Sequence, residues 1–386
     1  MEKIRALQIS KRYPPYIGGI ETVVSDISHA LTNSRKYQVV VFAFNDKKED
    51  IHEIYDGIEV YRAGVNRVVA SQPLSKNYGK LLDKVMKEFK PDIIHFQYPD
   101  PFAAHYVLKT MKKNDFKGKF LLQWNADITK QKFLKNFFIH QNKALLKRAD
   151  LVFPISPAYF KDTDYLPNYE GKTDVLPCCI GEKRTTITEE EKRKAEEIRN
   201  KYQGKKICFF FGRHVPYKGL TYLIQSDQYL NQDKVQIVIA GSGPLTNELK
   251  EQAKPYKNID FVGRLSDEEI NSYLMACDIF TFPSITRNEA FGISLAEAMY
   301  FGKPACTFTI KGSGVNWVSV NGETGLEAHN EDVKAYAENI TKLCEDDALY
   351  AKLSAGAKER CEKYFTRQVF DDKVLDIYSQ VLQGHE

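Results

Sequence analysis

The chain has 386 residues, 43% of them hydrophobic, which suits two α/β domains rather than one core of about 100–200 residues. No run of about 18 apolar residues occurs, and Met1-Glu2-Lys3-Ile4-Arg5 leads straight into a strand-like segment, so neither a signal peptide nor a membrane span is expected and the cytoplasm is the expected location. The net charge of +4 hides an asymmetry: residues 1–180 hold 28 Lys and Arg against 20 Asp and Glu, net +8, leaving −4 for 181–386, so the basic half is the candidate for an acidic partner.

Lys3 to Ser10 alternates like a strand and is followed by the glycine loop Tyr16-Ile17-Gly18-Gly19-Ile20 and a helical pattern through Val23, Val24, Ile27 and Leu31. Further strands read at Gln38 to Phe44, Ile58 to Arg62, Asp92 to Phe96, Phe120 to Trp124 and Asp150 to Pro154, with helical stretches between several of them. Strands alternating with helices imply a parallel sheet covered on both faces. The pattern restarts after Val175-Leu176-Pro177-Cys178-Cys179-Ile180. A charged helix over Glu189 to Lys201 precedes strands at Lys206 to Phe211, Gln236 to Ala240, Asp260 to Val262, Ile279 to Phe282 and Pro304 to Phe308. The expected domains are therefore 1–180 and 181–366, with an amphipathic terminal helix from Arg367 to Leu382.

Seven cysteines without C-x-x-C spacing suggest reduced, packed thiols, and the histidines show no ligand spacing, so no metal or other cofactor is expected. Chemistry concentrates in a few loops. In Gly212-Arg213-His214-Val215-Pro216-Tyr217-Lys218-Gly219, two cations follow a buried strand and precede a helix, an outline suited to a diphosphate. In Arg287 to Met299, Glu289 and Glu297 flank Gly292 and the start of a helix over about Ile293 to Phe301, whose first N–H groups are unpaired donors. Ala240-Gly241-Ser242-Gly243-Pro244 follows a strand like a dinucleotide fingerprint, but Thr246 stands where the third glycine belongs.

The window around Glu289 and Glu297, with seven residues between the two carboxylates, resembles the E-x7-E signature of the family-4 retaining glycosyltransferases. The loop of Arg213 and Lys218, which stand five positions apart, is similar to that family's G-R-x4-K-G element. The resemblance implies a GT-B architecture, two Rossmann-like α/β domains facing a central cleft, with the terminal helix 367–386 returning to the first domain. It also implies a nucleotide-diphosphate sugar as donor and, as acceptor, a hydroxyl of a glycan or lipid-linked saccharide, with no nucleic-acid partner.

It further implies residue roles. Arg213 and Lys218 would hold the diphosphate, Glu289 would orient the transferred sugar, and Glu297 would accept from the ribose hydroxyls. Gly18 and Gly19 would lie beneath the donor phosphates, Gly19 the closer. Gly241, Gly263 and Arg264 would line the nucleotide side, while Ala290, Phe291, Gly292 and Leu295 complete the donor contacts. Gly312-Ser313-Gly314-Val315-Asn316-Trp317-Val318 and the W-x-x-D-I element at Trp124 look like the mannosyltransferase-like branch of bacterial polysaccharide and lipopolysaccharide synthesis. GDP-mannose leads as donor and a UDP-sugar stays open.

One position departs from the pattern. Where many relatives place a histidine toward the sugar, this chain has Asn125, which hydrogen-bonds but carries no charge at neutral pH. Two rival readings are a nucleotide-sugar epimerase of the same architecture and a catalytically impaired binding protein. Finally, Lys130 to Ile139 and Lys143 to Arg148 mix basic and bulky apolar residues. This is the pattern of a core-facing helix with a solvated basic side, or of peripheral contact by 130–148 with the inner membrane face.

Overall fold

The structure is a computed structural model that describes residues 2–16, 18–69, 72–125, 132–162 and 165–383, without the side chains of 132–137, 159 and 162. The chain divides into two compact units, Met1–Leu176 with Phe370–Glu386, and Pro177–Val369.

In the first unit the strands are β1 (Ile4–Ile9), β2 (Tyr37–Phe44), β3 (Ile51–Tyr55), β4 (Ile58–Ala63), β5 (Arg67–Val69), β6 (Gln72–Leu74), β7 (Ile93–Tyr98), β8 (Lys119–Trp124) and β9 (Leu151–Pro154). Among the described residues seven of them form one sheet in the order β3-β4-β2-β1-β7-β8-β9, and β5 and β6 form a separate hairpin. The central strands read as near-continuous apolar runs because both sheet faces are covered; β7, for example, is buried along its whole length. Strand β1 pairs in parallel with β2 from Ile4 opposite Tyr37 to Ile9 opposite Phe42, and on its other edge with β7. The one antiparallel member, β3, was not expected from the sequence. It hairpins onto β4 through Asp56 and Gly57, both at positive φ (48° and 75°) as a tight turn requires.

The helix Gly19–Asn33 buries Val23, Val24, Ile27 and Leu31, the stripe that its sequence spacing anticipates. From Phe370 onward the terminal helix Arg367–Gln383 belongs to this first unit, where it buries Phe370, Val374, Ile377 and Tyr378.

The second unit contains β10 (Lys206–Phe211), β11 (Val235–Ala240), β12 (Ile259–Gly263), β13 (Ile279–Phe282), β14 (Ala305–Phe308) and β15 (Gly325–Ala328). They form a sheet of order β12-β11-β10-β13-β14-β15 in which every pairing is parallel. Four of its helices, those after Thr188, Ser266, Asp332 and Asp346, start on a side-chain cap. Thr188 with Glu191 and Ser266 with Glu269 each form a reciprocal capping box, which satisfies N–H groups left open by the first turn. Among the described residues no helix is long and apolar enough to cross a membrane.

Candidate active site

In the second unit β10 has β11 on one side and β13 on the other, so the strand order reverses between β10 and β13. Loops leaving the carboxyl ends of such a pair diverge, and open α/β sheets bind ligands in the resulting crevice. Lys218 stands on the loop after β10 and Glu289 on the loop after β13. Their side chains form an ion pair between Nζ and Oε2, with 10% and 11% exposure. Ser284 Oγ donates to the same Oε2 at 3.3 Å, and the ammonium lies 4.8 Å from the centroid of the Phe282 ring. The two loops are tied together directly: Ile285 N–H donates to the Tyr217 carbonyl at 3.0 Å. Gly219, at φ 62°, sits so close that a Cβ would lie 2.1 Å from the Pro283 carbonyl oxygen, so only glycine permits this approach.

The segment after β14 supports the same carboxylate from behind. Ser313 Oγ donates to the Glu289 carbonyl, and Gly314 N–H donates to the Ala290 carbonyl at 3.0 Å. Gly312 to Val318 thus includes a brace for the Glu289 backbone, a purpose that its sequence did not disclose.

Gly292 caps the helix Ile293–Tyr300, and Glu297 projects from its second turn. Its Oε1 accepts from Arg184 Nε at 2.9 Å. Burial pushes the Glu297 carboxyl upward in pKa and Arg184 opposes that shift. Arg184 lies outside every motif of the sequence and was missed. Phe291 and Leu295 are buried, with Phe291 packed edge-on to Phe365 at 5.5 Å between ring centroids. Any donor contact from these two therefore falls to their backbone or to a narrow edge.

Arg213 is exposed and makes no ion pair among the described residues, unlike Lys218, so the two expected phosphate cations start from different states. Gly241, at φ 116°, packs against the turn after β10: a Cβ there would lie 1.9 Å from the Gly212 carbonyl oxygen. Thr246, in place of a third fingerprint glycine, closes its own loop by accepting from Gly243 N–H at 2.8 Å, and its hydroxyl meets His214 Nδ1 at 3.0 Å. Gly263 ends β12 and, like the Arg264 that follows it, is exposed.

In the first unit the order reverses between β1 and β7, and Gly18, Gly19 and Asn125 follow the carboxyl ends of β1 and β8. Gly18 precedes the helix that Gly19 begins, and its carbonyl accepts from Thr22 N–H at 3.1 Å. Asn125 is 4% exposed, and its Nδ2 donates to Gln97 Oε1 at 2.9 Å and to the Tyr98 carbonyl at 3.2 Å. A backbone carbonyl only accepts, so the amide nitrogen points inward and Oδ1 is the atom left to offer outward. Behind Gln97 lies a buried polar chain. Gln97 Nε2 is 3.2 Å from His95 Nε2, His95 Nδ1 is 2.9 Å from the Tyr378 hydroxyl, and Gln8 Nε2 donates to that hydroxyl at 2.5 Å.

Ile17, the rest of the W-x-x-D-I element after Asn125, and residues 130 and 131 lie outside the described residues. The rest of the basic and aromatic stretch forms the helix Lys132–Arg148. There Leu145 and Leu146 are buried while Lys143 and Lys147 are exposed, the arrangement of a core-facing helix.

Residues 17–184 match the family model described as Glycosyltransferase Family 4, and residues 191–360 match that of Glycosyl transferases group 1. The chain belongs to the GT-B glycosyltransferases. It is 27% identical over 384 residues to the O-antigen chain mannosyltransferase C of Escherichia coli, covering 99% of this chain and 100% of that protein. It is 28% identical to the D-rhamnosyltransferase WbpZ of Pseudomonas aeruginosa, covering 94% and 92%. Among solved structures, the sucrose-phosphate synthase of Thermosynechococcus elongatus shares the fold with a TM-score of 0.78 at 18% identity, covering 99% of this chain and 100% of that one.

Proposed function

We propose that the protein transfers a hexose, mannose or a close relative, from a nucleoside diphosphate sugar to a hydroxyl of a glycan or lipid-linked saccharide during surface polysaccharide synthesis, with retention at the anomeric carbon. The observation that carries this reading is the meeting of Lys218 with Glu289 at the strand-order reversal of the second sheet. A phosphate-seeking cation and a hydroxyl-seeking carboxylate stand together there, and Glu297 is held on the adjoining helix.

In this reading Glu297 accepts from the two vicinal ribose hydroxyls, for which a carboxylate has the acceptor capacity. Lys218 and Arg213 take the diphosphate, which gains negative charge as the glycosidic bond breaks, so both stabilise the transition state more than the ground state. Glu289 orients the sugar. The acceptor attacks from the face that the diphosphate leaves, and the departing phosphate takes the acceptor proton. Similarity to a mannosyltransferase and to a rhamnosyltransferase favours GDP-mannose or a deoxy relative as donor.

Incubation with a panel of radiolabelled GDP- and UDP-sugars and saccharide acceptors tests the proposal. The expected product is a new α-linked glycoside formed from an α-linked donor. An epimerised nucleotide sugar, or binding without turnover, would reject it in favour of the two rival activities.

A further inference from the structure

Arg184 occupies a short turn, Glu182–Arg184, ahead of the first long helix of the second unit, and it is 4% exposed. Its guanidinium bonds three neighbouring residues. Nε donates to Glu297 Oε1 at 2.9 Å, one terminal nitrogen donates to Asp267 Oδ1 at 2.9 Å, and the other reaches the Asp267 carbonyl and Asn271 Oδ1, each at 3.0 Å. Asn271 is fixed in turn, because its Nδ2 donates to the Lys183 carbonyl at 2.7 Å and to Glu191 Oε1 at 2.8 Å. A planar, charged fork locked at this many points has one orientation. It also presents the same edge to Glu297 each time.

We propose that Arg184 is a positioning residue for nucleotide recognition: it commits Oε1 of Glu297 and leaves Oε2 as the acceptor for the ribose. The proposal rests on the ribose role of Glu297 given above. Its physical basis is the isolation of the carboxylate. Glu297 is 12% exposed, and Asp267 is a second negative charge near it whose other cationic partner is Lys183, at 2.7 Å from its Oδ2; without Arg184 Lys183 stays with Asp267, and burial favours the protonated, weakly accepting form of Glu297. Glu189, Glu190, Lys192 and Arg193, which are paired among themselves on the surface of the helix that follows, provide no substitute.

The test is calorimetric titration of GDP and of UDP between pH 6 and pH 9, each affinity expressed relative to the unchanged protein so that ionisation of the ligand cancels. Arg184→Gln should weaken binding by about tenfold or more at pH 6, with the loss shrinking as the pH rises and Glu297 regains its charge. A merely structural role gives a loss that does not vary with pH. In the Arg184→Gln/Glu297→Gln double variant the affinity should stay within about twofold of that of Glu297→Gln alone, because both changes remove one interaction.

Multiplying losses, a pH-independent loss, or parental affinity in Arg184→Gln would overturn the positioning role. Parental affinity in Glu297→Gln would instead overturn the ribose reading beneath it. Should Arg184→Gln fail to fold, Arg184→Lys keeps the charge but cannot fork to both carboxylates. It should weaken binding by about threefold or more, and parental affinity there would equally defeat the proposal.

Discussion

Lys218 and Glu289 neutralise one another, so the cation assigned to phosphate and the carboxylate assigned to sugar are each other's partner. On the roles proposed above, a bound diphosphate would compete with Glu289 for one ammonium, and donor binding would then be coupled to release of the carboxylate that orients the sugar.

Lys218→Ala is therefore expected to have two separable effects. Turnover should fall roughly 10²- to 10³-fold, the scale for loss of one preorganised group at a developing negative charge. Stability should also fall, by up to about 3–5 kcal/mol, because Glu289 is left nearly buried without a counter-charge. The Lys218→Met/Glu289→Gln double variant should recover most of the melting temperature and none of the turnover. Arg213→Ala, removing an exposed cation with no ion pair among the described residues, should lower turnover with little change in melting. Thermal melts beside initial rates at saturating donor check all three.

Glu289→Gln should mainly lower the chemical rate, whereas Glu297→Gln should mainly weaken nucleotide binding. Only the second carboxylate is assigned to a part of the donor that does not react. Titration of the free nucleoside diphosphate separates them, and equal affinity losses in both variants would contradict the division of roles.

At Asn125 the expectation turns on its inward partners. A family histidine lost from this position would mean that Asn125→His raises transfer. With Nδ2 already donating to Gln97 and the Tyr98 carbonyl in a buried setting, the bulkier imidazole should instead lower the rate while nucleoside diphosphate affinity stays nearly constant. Asn125→Asp should destabilise by about 1–3 kcal/mol, since an oxygen would then face a carbonyl that cannot donate. A gain in rate for Asn125→His would restore the lost-histidine reading.

His95 makes stability depend on acid. Burial pulls its pKa down to about 3, below its ordinary value, so between those two pH values the unfolded chain binds a proton that the folded chain refuses. Stability is fully present above about pH 6.5 and is lost as pH falls toward 3, by on the order of several kcal/mol. His95→Gln should flatten that part of the melting-temperature profile. An unchanged slope would assign the acid sensitivity to other groups.

Much of this was legible in the chain itself, for identifiable reasons. The strands of both sheets announced themselves as apolar runs, and the loops of Lys218 and Glu289 by glycine beside charge. Strand β3 escaped because it is short and its residues alternate between half-buried and exposed, although Asp56-Gly57 was a usable hairpin signal. Strand β15, Gly325–Ala328, escaped for want of a β-branched or aromatic residue. Arg184 could not have been found by pattern at all, since its partners Asp267, Asn271 and Glu297 come from elements far along the chain. Nor does any spacing reveal that Ser313 would support the Glu289 carbonyl.

The Tyr378 hydroxyl, joined to Gln8 and His95 inside the first unit, has a consequence for biosynthesis. A ribosome adding about 5–20 residues per second releases β1 and β7 well before residue 378. Throughout that interval Gln8 and His95 lack the group that closes their chain of bonds, while the whole second unit is being made. The first unit is thus begun first and finished last, and a nascent chain halted after Val369 should carry a folded second unit beside an incomplete first one.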